Sequence, residues 1–243
     1  MIGLPTRAEP VRVVCGETLA ALRELPSGCA DAVLTDPPYS SGGFTRGDKQ
    51  KSVRDKYQTS GTGRTYPDFA GDTRDQRAFG YWCALWLSEC LRLCKGGGIC
   101  GLFTDWRQLP ETTDALQAGG WIYRGIVPWH KPGARPQQGR FRNACEYLVW
   151  GTNGPRPLTG ATFPGLYSAS VRADDKHHLT GKPTALMREL VQIVPPGGLV
   201  LDPFAGSFTT AVACAQEGRR CVAIEKEREY VEIGRRRLAA LGV

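Results

Sequence analysis

Apolar and polar positions along the 243-residue chain switch between two periods. Short apolar runs predict strands at Arg12–Cys15, Ala30–Thr35, Ile99–Phe103, Tyr123–Trp129, Cys145–Trp150, Leu199–Leu201 and Cys221–Ile224. Stretches with apolar residues every three or four positions predict helices at Thr18–Leu25, Asp75–Leu93, Pro110–Ala118, Pro183–Val194, Phe208–Glu217 and Tyr230–Leu241. Phe79, Trp82, Trp86, Cys90 and Leu93 share one face of the second helix and read as core without a chemical role. Gly96-Gly97-Gly98 reads as the stop of that helix, and Pro183 as a first-turn proline whose missing amide costs nothing. Alternating strands and helices predict an α/β fold, a doubly wound and mostly parallel sheet of seven strands. The length suits one domain over residues 1–243. Two stretches escape both periods. Ser40–Arg74 reads as a long polar loop, and Thr152–Asp175 as irregular.

The first site candidate follows the Ala30–Thr35 strand: Asp36-Pro37-Pro38-Tyr39. Two prolines cannot extend a ladder, and each forces the residue before it into extended geometry. They make a stiff bend that holds a carboxylate, the Pro37 carbonyl and an aromatic ring in fixed relation. A planar aromatic amine needs acceptors for its two amino hydrogens and a face for its ring.

The second candidate is Leu201-Asp202-Pro203-Phe204-Ala205-Gly206-Ser207, where a strand enters a turn of small residues and a helix leaves it. Small residues let backbone approach a ligand, and amides at the helix start bind anionic groups. The next strand ends in Glu225, followed by Lys226, and an acidic strand tip about twenty residues on suits a ribose diol. No Walker lysine follows the turn, which disfavours a triphosphate. A nucleoside with an amino-acid tail fits better, namely S-adenosylmethionine.

Charge adds a partner. The net charge of +7 hints at a polyanion. Between Arg124 and Arg142 stand five cations and no acid, interleaved with Trp129 and Phe141. Lys131, Arg135, Arg140 and Arg142 in this strip, and Lys49, Lys51, Arg54 and Lys56 in the long loop, are candidate phosphate contacts. Nine cysteines form no CxxC pair and only three histidines occur, so no metal site is expected. Reduced cysteines, no membrane-spanning run and no signal-peptide pattern point to a cytoplasmic protein.

The motifs together resemble the SAM-dependent amino-methyltransferases of DNA. Asp36-Pro37-Pro38-Tyr39 is similar to that family's catalytic motif, and Asp202-Pro203-Phe204-Ala205-Gly206-Ser207 to its cofactor loop. His178-Leu179-Thr180-Gly181-Lys182-Pro183 resembles a segment that helps hold the methionine moiety, and Gly16-Glu17 a pair that closes the cofactor pocket, with Glu17 in place of the usual Asp. The resemblance implies a Rossmann-like sheet and cofactor contacts from Glu17, Asp36, His178, Thr180, Lys182, Pro183, Asp202 to Ser207, Thr209, Glu225 and Lys226. The catalytic motif precedes the cofactor loop, an order that resembles the circularly permuted β class. It implies a catalytic half (1–150), a target-recognition insertion (152–175) and a cofactor half (176–243). Phe208 departs from the pattern by standing where a glycine is usual. It is expected either to pack under the following helix or to alter cofactor affinity.

Within the resemblance, aspartate at the first motif position implies N6 of adenine as acceptor, with N4 of cytosine as the alternative. A recognition slot of some two dozen residues implies a short or relaxed target sequence. The chain also resembles compact phage and prophage adenine methylases, which fits an orphan enzyme without a nuclease partner; a role in a restriction-modification pair is the alternative. A homodimer is compatible with this reading. Two other readings stand beside it: a non-catalytic DNA-binding decoy with a decayed cofactor loop, and an RNA methyltransferase.

Overall fold

The computed structural model describes residues 1–40, 74–134, 136, 138–170 and 181–243. In chain order they form β1 (Val11–Cys15), α1 (Thr18–Arg23), β2 (Ala30–Thr35), α2 (Gln76–Leu93), β3 (Cys94–Thr104), α3 (Leu109–Ala118), β4 (Ile122–His130) and β5 (Cys145–Thr152). Then come β6 (Tyr167–Ser168), α4 (Thr184–Leu190) with a 3-10 turn (Val191–Ile193), β7 (Leu199–Asp202), α5 (Thr209–Gln216), β8 (Arg220–Glu225) and α6 (Arg228–Ala239).

One sheet carries eight strands in the order β1-β8-β7-β2-β3-β5-β4-β6. All seven predicted strands form. The eighth, β6, lies in the stretch expected to be irregular, where two residues pair with Trp129 and His130. The sheet is parallel from β1 to β3, and β5 runs antiparallel to both β3 and β4. Successive strand residues face opposite layers. Val33, Leu199, Leu201, Val222 and Ile224 pack with α1, α2 and α3, whereas Ala32, Leu34, Val200 and Ala223 pack with α4, α5 and α6.

The Gly96–Gly98 triplet does not end α2, which stops at Leu93; it lies inside β3. There the β2–β3 register slips, with Ala30 opposite Cys94 and Ala32 opposite Ile99. A side chain at Gly98 would collide with Cys94 Sγ and stand 2.9 Å from the Asp31 carbonyl, so this bulge requires glycine.

The topology fixes where a ligand binds. After β2 the chain crosses to β3 on one side, and after β7 it crosses to β8 on the other. β2 and β7 are parallel neighbours, so their carboxyl ends flank a topological switch point. Asp36 follows the first end and Asp202 closes the second.

Candidate active site

A cleft of about 270 Å³ opens at this switch point. Glu17, Asp36–Tyr39, Trp82, Phe103, Lys182, Asp202–Ser207, Thr209, Glu225 and Lys226 are among the residues that line it.

On the β7–β8 side, the loop is tied to its neighbours. Asp202 is buried and its Oδ1 accepts from Thr35 Oγ1 at 2.7 Å and from the Phe204 amide at 3.2 Å. Burial pushes its carboxyl up to about 6, with hydrogen bonds from Thr210 and Thr35 working against the rise. The Ala205 amide donates to the Ile224 carbonyl, and the Gly206 amide to Glu225 Oε2 at 2.8 Å. Gly206 adopts φ 51°, which only glycine reaches without strain. Glu225 Oε1 accepts from the Glu227 amide. Two backbone amides thus hold the Glu225 carboxylate at the strand tip. Each carboxylate oxygen accepts more than one hydrogen bond, so it can still receive hydroxyls. Glu17 caps α1 through its Oε2 and stands at the cleft rim.

Two features of this side were not legible in the sequence. Trp82, expected to be core, is only half-buried; its ring lies 5.3 Å from Phe204 and it lines the cleft. Arg237 of α6 donates to the Ser207 carbonyl, to Thr209 Oγ1 and to Thr184 Oγ1, bracing the loop exit from behind.

Phe208 adopts a left-handed conformation, φ 66° and ψ 31°, at the N-cap of α5. Its ring is fully buried and is not among the residues lining the cleft. It rests on Gly234 of α6, where a Cβ would overlap Phe208 Cδ2. The missing side chain of Gly234 therefore makes the slot that the unusual Phe fills. The ring packs against the last helix, in the core that α5 and α6 share.

On the β2 side, Asp36 keeps 26% of its side chain exposed. Its Oδ2 contacts the buried Lys182 Nζ at 2.5 Å, and its Oδ1 accepts from the Tyr39 hydroxyl at 2.6 Å. Lys182 Nζ also lies 3.3 Å from Glu146 Oε2, and Lys131 Nζ bonds Glu146 Oε1 at 2.8 Å. Burial pushes the Asp36 carboxyl above its usual range, despite the attraction of Lys182. Burial also raises Glu146, but Lys182 and Lys131 outweigh it and hold that carboxyl below its usual range. For Lys182, burial is overcome by Asp36 and Glu146, so the ammonium is held charged. The rings of Phe103, Tyr39 and Trp129 lie 5.0, 5.3 and 6.0 Å from that ammonium.

Lys182, expected on the cofactor side, is thus engaged by Asp36 and Glu146, and Lys131, expected on a phosphate, by Glu146. Glu146 itself carries no local sequence signal. Arg140 and Arg142 are exposed on the β4–β5 connection, with Phe141 fully exposed between them. That connection leaves the sheet at the end where Asp36 lies, because His130 pairs with Cys145 and Thr104 with Tyr147. Pro183 is the N-cap of α4. His178, Thr180, Arg135, Lys49, Lys51, Arg54 and Lys56 fall outside the described residues. Among the described residues no helix is long and apolar enough to cross a membrane, and no group of three or more His, Cys, Asp or Glu is arranged to hold a metal ion.

The donor set fits a nucleoside with a charged tail: a carboxylate for a diol, loop amides, apolar walls from Phe204, Ile224 and Tyr230, and a nearby second carboxylate. The family profile described as DNA methylase, of the N6/N4 type, matches residues 30–162 and 159–236. The chain belongs to the N6/N4 DNA methylase family. This DNA methylase is 28% identical over 232 residues to YubD of Escherichia coli K12, a candidate methylase, with 95% of this chain and 91% of that protein covered. Its fold matches the M1.HpyAVI complex with SAM (TM-score 0.67, 21% identity, 94% and 98% of the two chains). It also matches the PvuII cytosine-N4-specific DNA methyltransferase (TM-score 0.68, 17% identity, 94% and 86%).

Proposed function

We propose that this DNA methyltransferase uses S-adenosylmethionine to methylate the exocyclic N6 amine of an adenine turned out of the duplex, within a short or relaxed target sequence. The observation that carries the reading is the placement of Asp36. Its carboxylate is presented to the cleft at the same switch point as the Asp202–Ser207 loop, so acceptor and cofactor share one crevice. We assign the chain to the permuted β class, from the order of its motifs, and read it as a compact phage-type enzyme acting without a nuclease.

When bound, S-adenosylmethionine supplies an electrophilic methyl group on a sulfonium. Glu225 would accept the ribose hydroxyls, and the Asp202–Ser207 backbone would pack against the nucleoside. An exocyclic base amine is a poor nucleophile because its lone pair is delocalised into the ring. Asp36 and the Pro37 carbonyl accept its two hydrogens, which draws the nitrogen towards tetrahedral geometry and localises the lone pair. Asp36 then takes the proton that the amine loses. Tyr39 offers its ring to the extruded base; turning the base out costs a few kcal/mol, and stacking returns ~1–3 kcal/mol. Positioning and electrostatics carry the rate. Arg140 and Arg142 contact the phosphate backbone beside the cleft.

N4 of cytosine is the competing acceptor, favoured by the shared fold with the PvuII enzyme. Treated DNA digested to nucleosides decides between them: N6-methyladenine is expected, and N4-methylcytosine as sole product would overturn the adenine reading. Asp36→Ala is expected to keep cofactor binding by calorimetry while transfer falls by at least about a thousandfold, a rise of ~4 kcal/mol in the barrier. Substantial residual transfer would remove Asp36 from the reacting centre.

A further inference from the structure

The reading of Asp36 as the amine acceptor leaves one part-buried charge without a task. Glu146 is the second residue of β5, and antiparallel pairing sets it opposite Trp129 at the cleft end of the hairpin. Its Oε1 is taken by Lys131. Its Oε2 lies 3.3 Å from Lys182 Nζ and 3.4 Å from the Tyr39 hydroxyl. Both of those groups also bind Asp36, Lys182 at Oδ2 and Tyr39 at Oδ1. Four side chains therefore close a ring: Asp36, Tyr39, Glu146 and Lys182. Lys131 and Asp105 are the other charged groups that act on it.

The ring has a consequence for substrate entry. Both Asp36 oxygens are engaged, one by an ammonium and one by a neutral hydroxyl. An amine that approaches Asp36 Oδ1 competes there with the weaker of the two donors, the Tyr39 O–H, for a lone pair of that oxygen. A tyrosine hydroxyl has one hydrogen and serves one strong acceptor at a time. Displaced from Asp36 in this part-buried corner, once the base covers it, it needs another acceptor or bears the cost of an unpaired polar group. Glu146 Oε2 stands at the outer edge of hydrogen-bond range, already aligned.

We propose that Glu146 is a positioning residue for methyl transfer: it receives the Tyr39 hydroxyl when the target amine takes the place of that hydroxyl on Asp36. The proposal rests on the amine-acceptor role of Asp36 and applies to either base. Lys131 and Lys182 keep Glu146 ionised for this task, and Lys182 keeps Oδ2 of Asp36 occupied so that the exchange happens at Oδ1.

The test is a single-turnover methylation assay on duplex genomic DNA with four forms: wild type, Glu146→Ala, Tyr39→Phe and the double variant. Glu146→Ala is expected to slow transfer about 10–100-fold, the range set by one unpaired polar group, with cofactor affinity by calorimetry changed less than about twofold. In the Tyr39→Phe background no hydroxyl needs an acceptor, so adding Glu146→Ala is expected to cost less than about threefold. An unchanged rate in Glu146→Ala, or the same fold-loss in both backgrounds, would overturn the proposal. Glu146→Gln keeps an acceptor oxygen of the same reach and covers the case in which the alanine variant fails to fold; its smaller loss must also vanish in the Tyr39→Phe background. A wild type that transfers no methyl group to DNA sinks the proposal together with the reading beneath it. N4-methylcytosine as product sinks only the choice of base.

Discussion

Phe208 and Gly234 form a pair whose coupling can be worked out from the structure. Replacing Phe208 by glycine removes a fully buried ring from between α5 and α6. Large-to-small changes of this kind cost ~3–5 kcal/mol. Against this, glycine relieves the left-handed strain at φ 66°, worth ~1–2 kcal/mol. The net loss is about 2.5 kcal/mol, or roughly 5–10 °C in Tm for a chain of this size. Gly234→Ala perturbs the same contact from the other side. Its Cβ would overlap the Phe208 ring, so ring or helix must move. Overpacking costs ~1–3 kcal/mol, and the helix propensity of alanine returns ~1 kcal/mol.

The sign of the second substitution is therefore expected to reverse with the first. With Phe208 present, Gly234→Ala destabilises; in the Phe208→Gly background it has no ring to meet, and the propensity gain of about 1 kcal/mol remains. Urea denaturation of the four forms reads the cycle. Cofactor calorimetry reads its functional side, because the Phe208 amide donates to the Ala205 carbonyl and a displaced ring shifts the loop. Gly234→Ala is expected to weaken cofactor binding several-fold, and Phe208→Gly to restore it. Equal destabilisation by Gly234→Ala in both backgrounds would refute the argument that Gly234 exists to seat this ring.

Further outcomes follow from the charges. Asp202 has its pKa raised to about 6, so ionising it opposes folding; its penalty is absent below about pH 4 and complete above about pH 6, reaching ~3 kcal/mol. Asp202→Asn is thus expected to gain stability relative to wild type as pH rises from 4 to 7, and a pH-independent difference in denaturation midpoints would count against it. Lys182 lowers the Asp36 pKa, so Lys182→Met is expected to raise it further and move the acid limb of the single-turnover pH profile upward, with a larger loss at pH 6 than at pH 8; an unmoved limb would mean Asp36 is not the titrating acceptor. Changing Arg140 and Arg142 together to alanine is expected to weaken DNA binding at every sequence and reduce the slope of log K against log salt by about 2. A slope unchanged from wild type would place the phosphate contacts elsewhere.

The sequence carried the parallel half of the sheet well, because each strand there is a short apolar run followed by a helix of the right period. It carried the two motifs for the same reason: prolines and glycines act on their own backbone, so their effect is local. What it could not carry depends on register. Glu146 and Lys131 reach the Asp36–Lys182 pair only because β5 runs antiparallel between β3 and β4, with Cys145 opposite His130. One residue of slip would turn the Glu146 side chain to the other layer. Gly234 is silent in the same way, since a glycine inside a helix reads as a weak point until the residue filling its place is known. The triplet at Gly96–Gly98 misled for the opposite reason: its local preference is to stop a helix, yet pairing with β2 made it a bulge, in which Cys94 leaves no room for a side chain at Gly98.

The distribution of charge in the cleft follows from these non-local contacts and bears on the chemistry. Two carboxylates, Asp36 and Glu146, meet two lysines, Lys131 and Lys182, so the cluster is neutral as a whole while Asp36 and Lys182 line the cleft. A lone buried carboxylate would have been forced to protonate and could not accept a proton from an amine. Lys182 prevents that, but one lysine bound to one aspartate would leave the pair fully satisfied and its oxygen unavailable. Glu146, balanced by Lys131 and touching Lys182, adds a further charged acceptor next to that pair. On the proposed exchange, an acceptor that stays charged yet changes partners during one turnover is served by a second carboxylate behind it, and the fold brings one from a strand pair whose antiparallel pairing the sequence did not indicate.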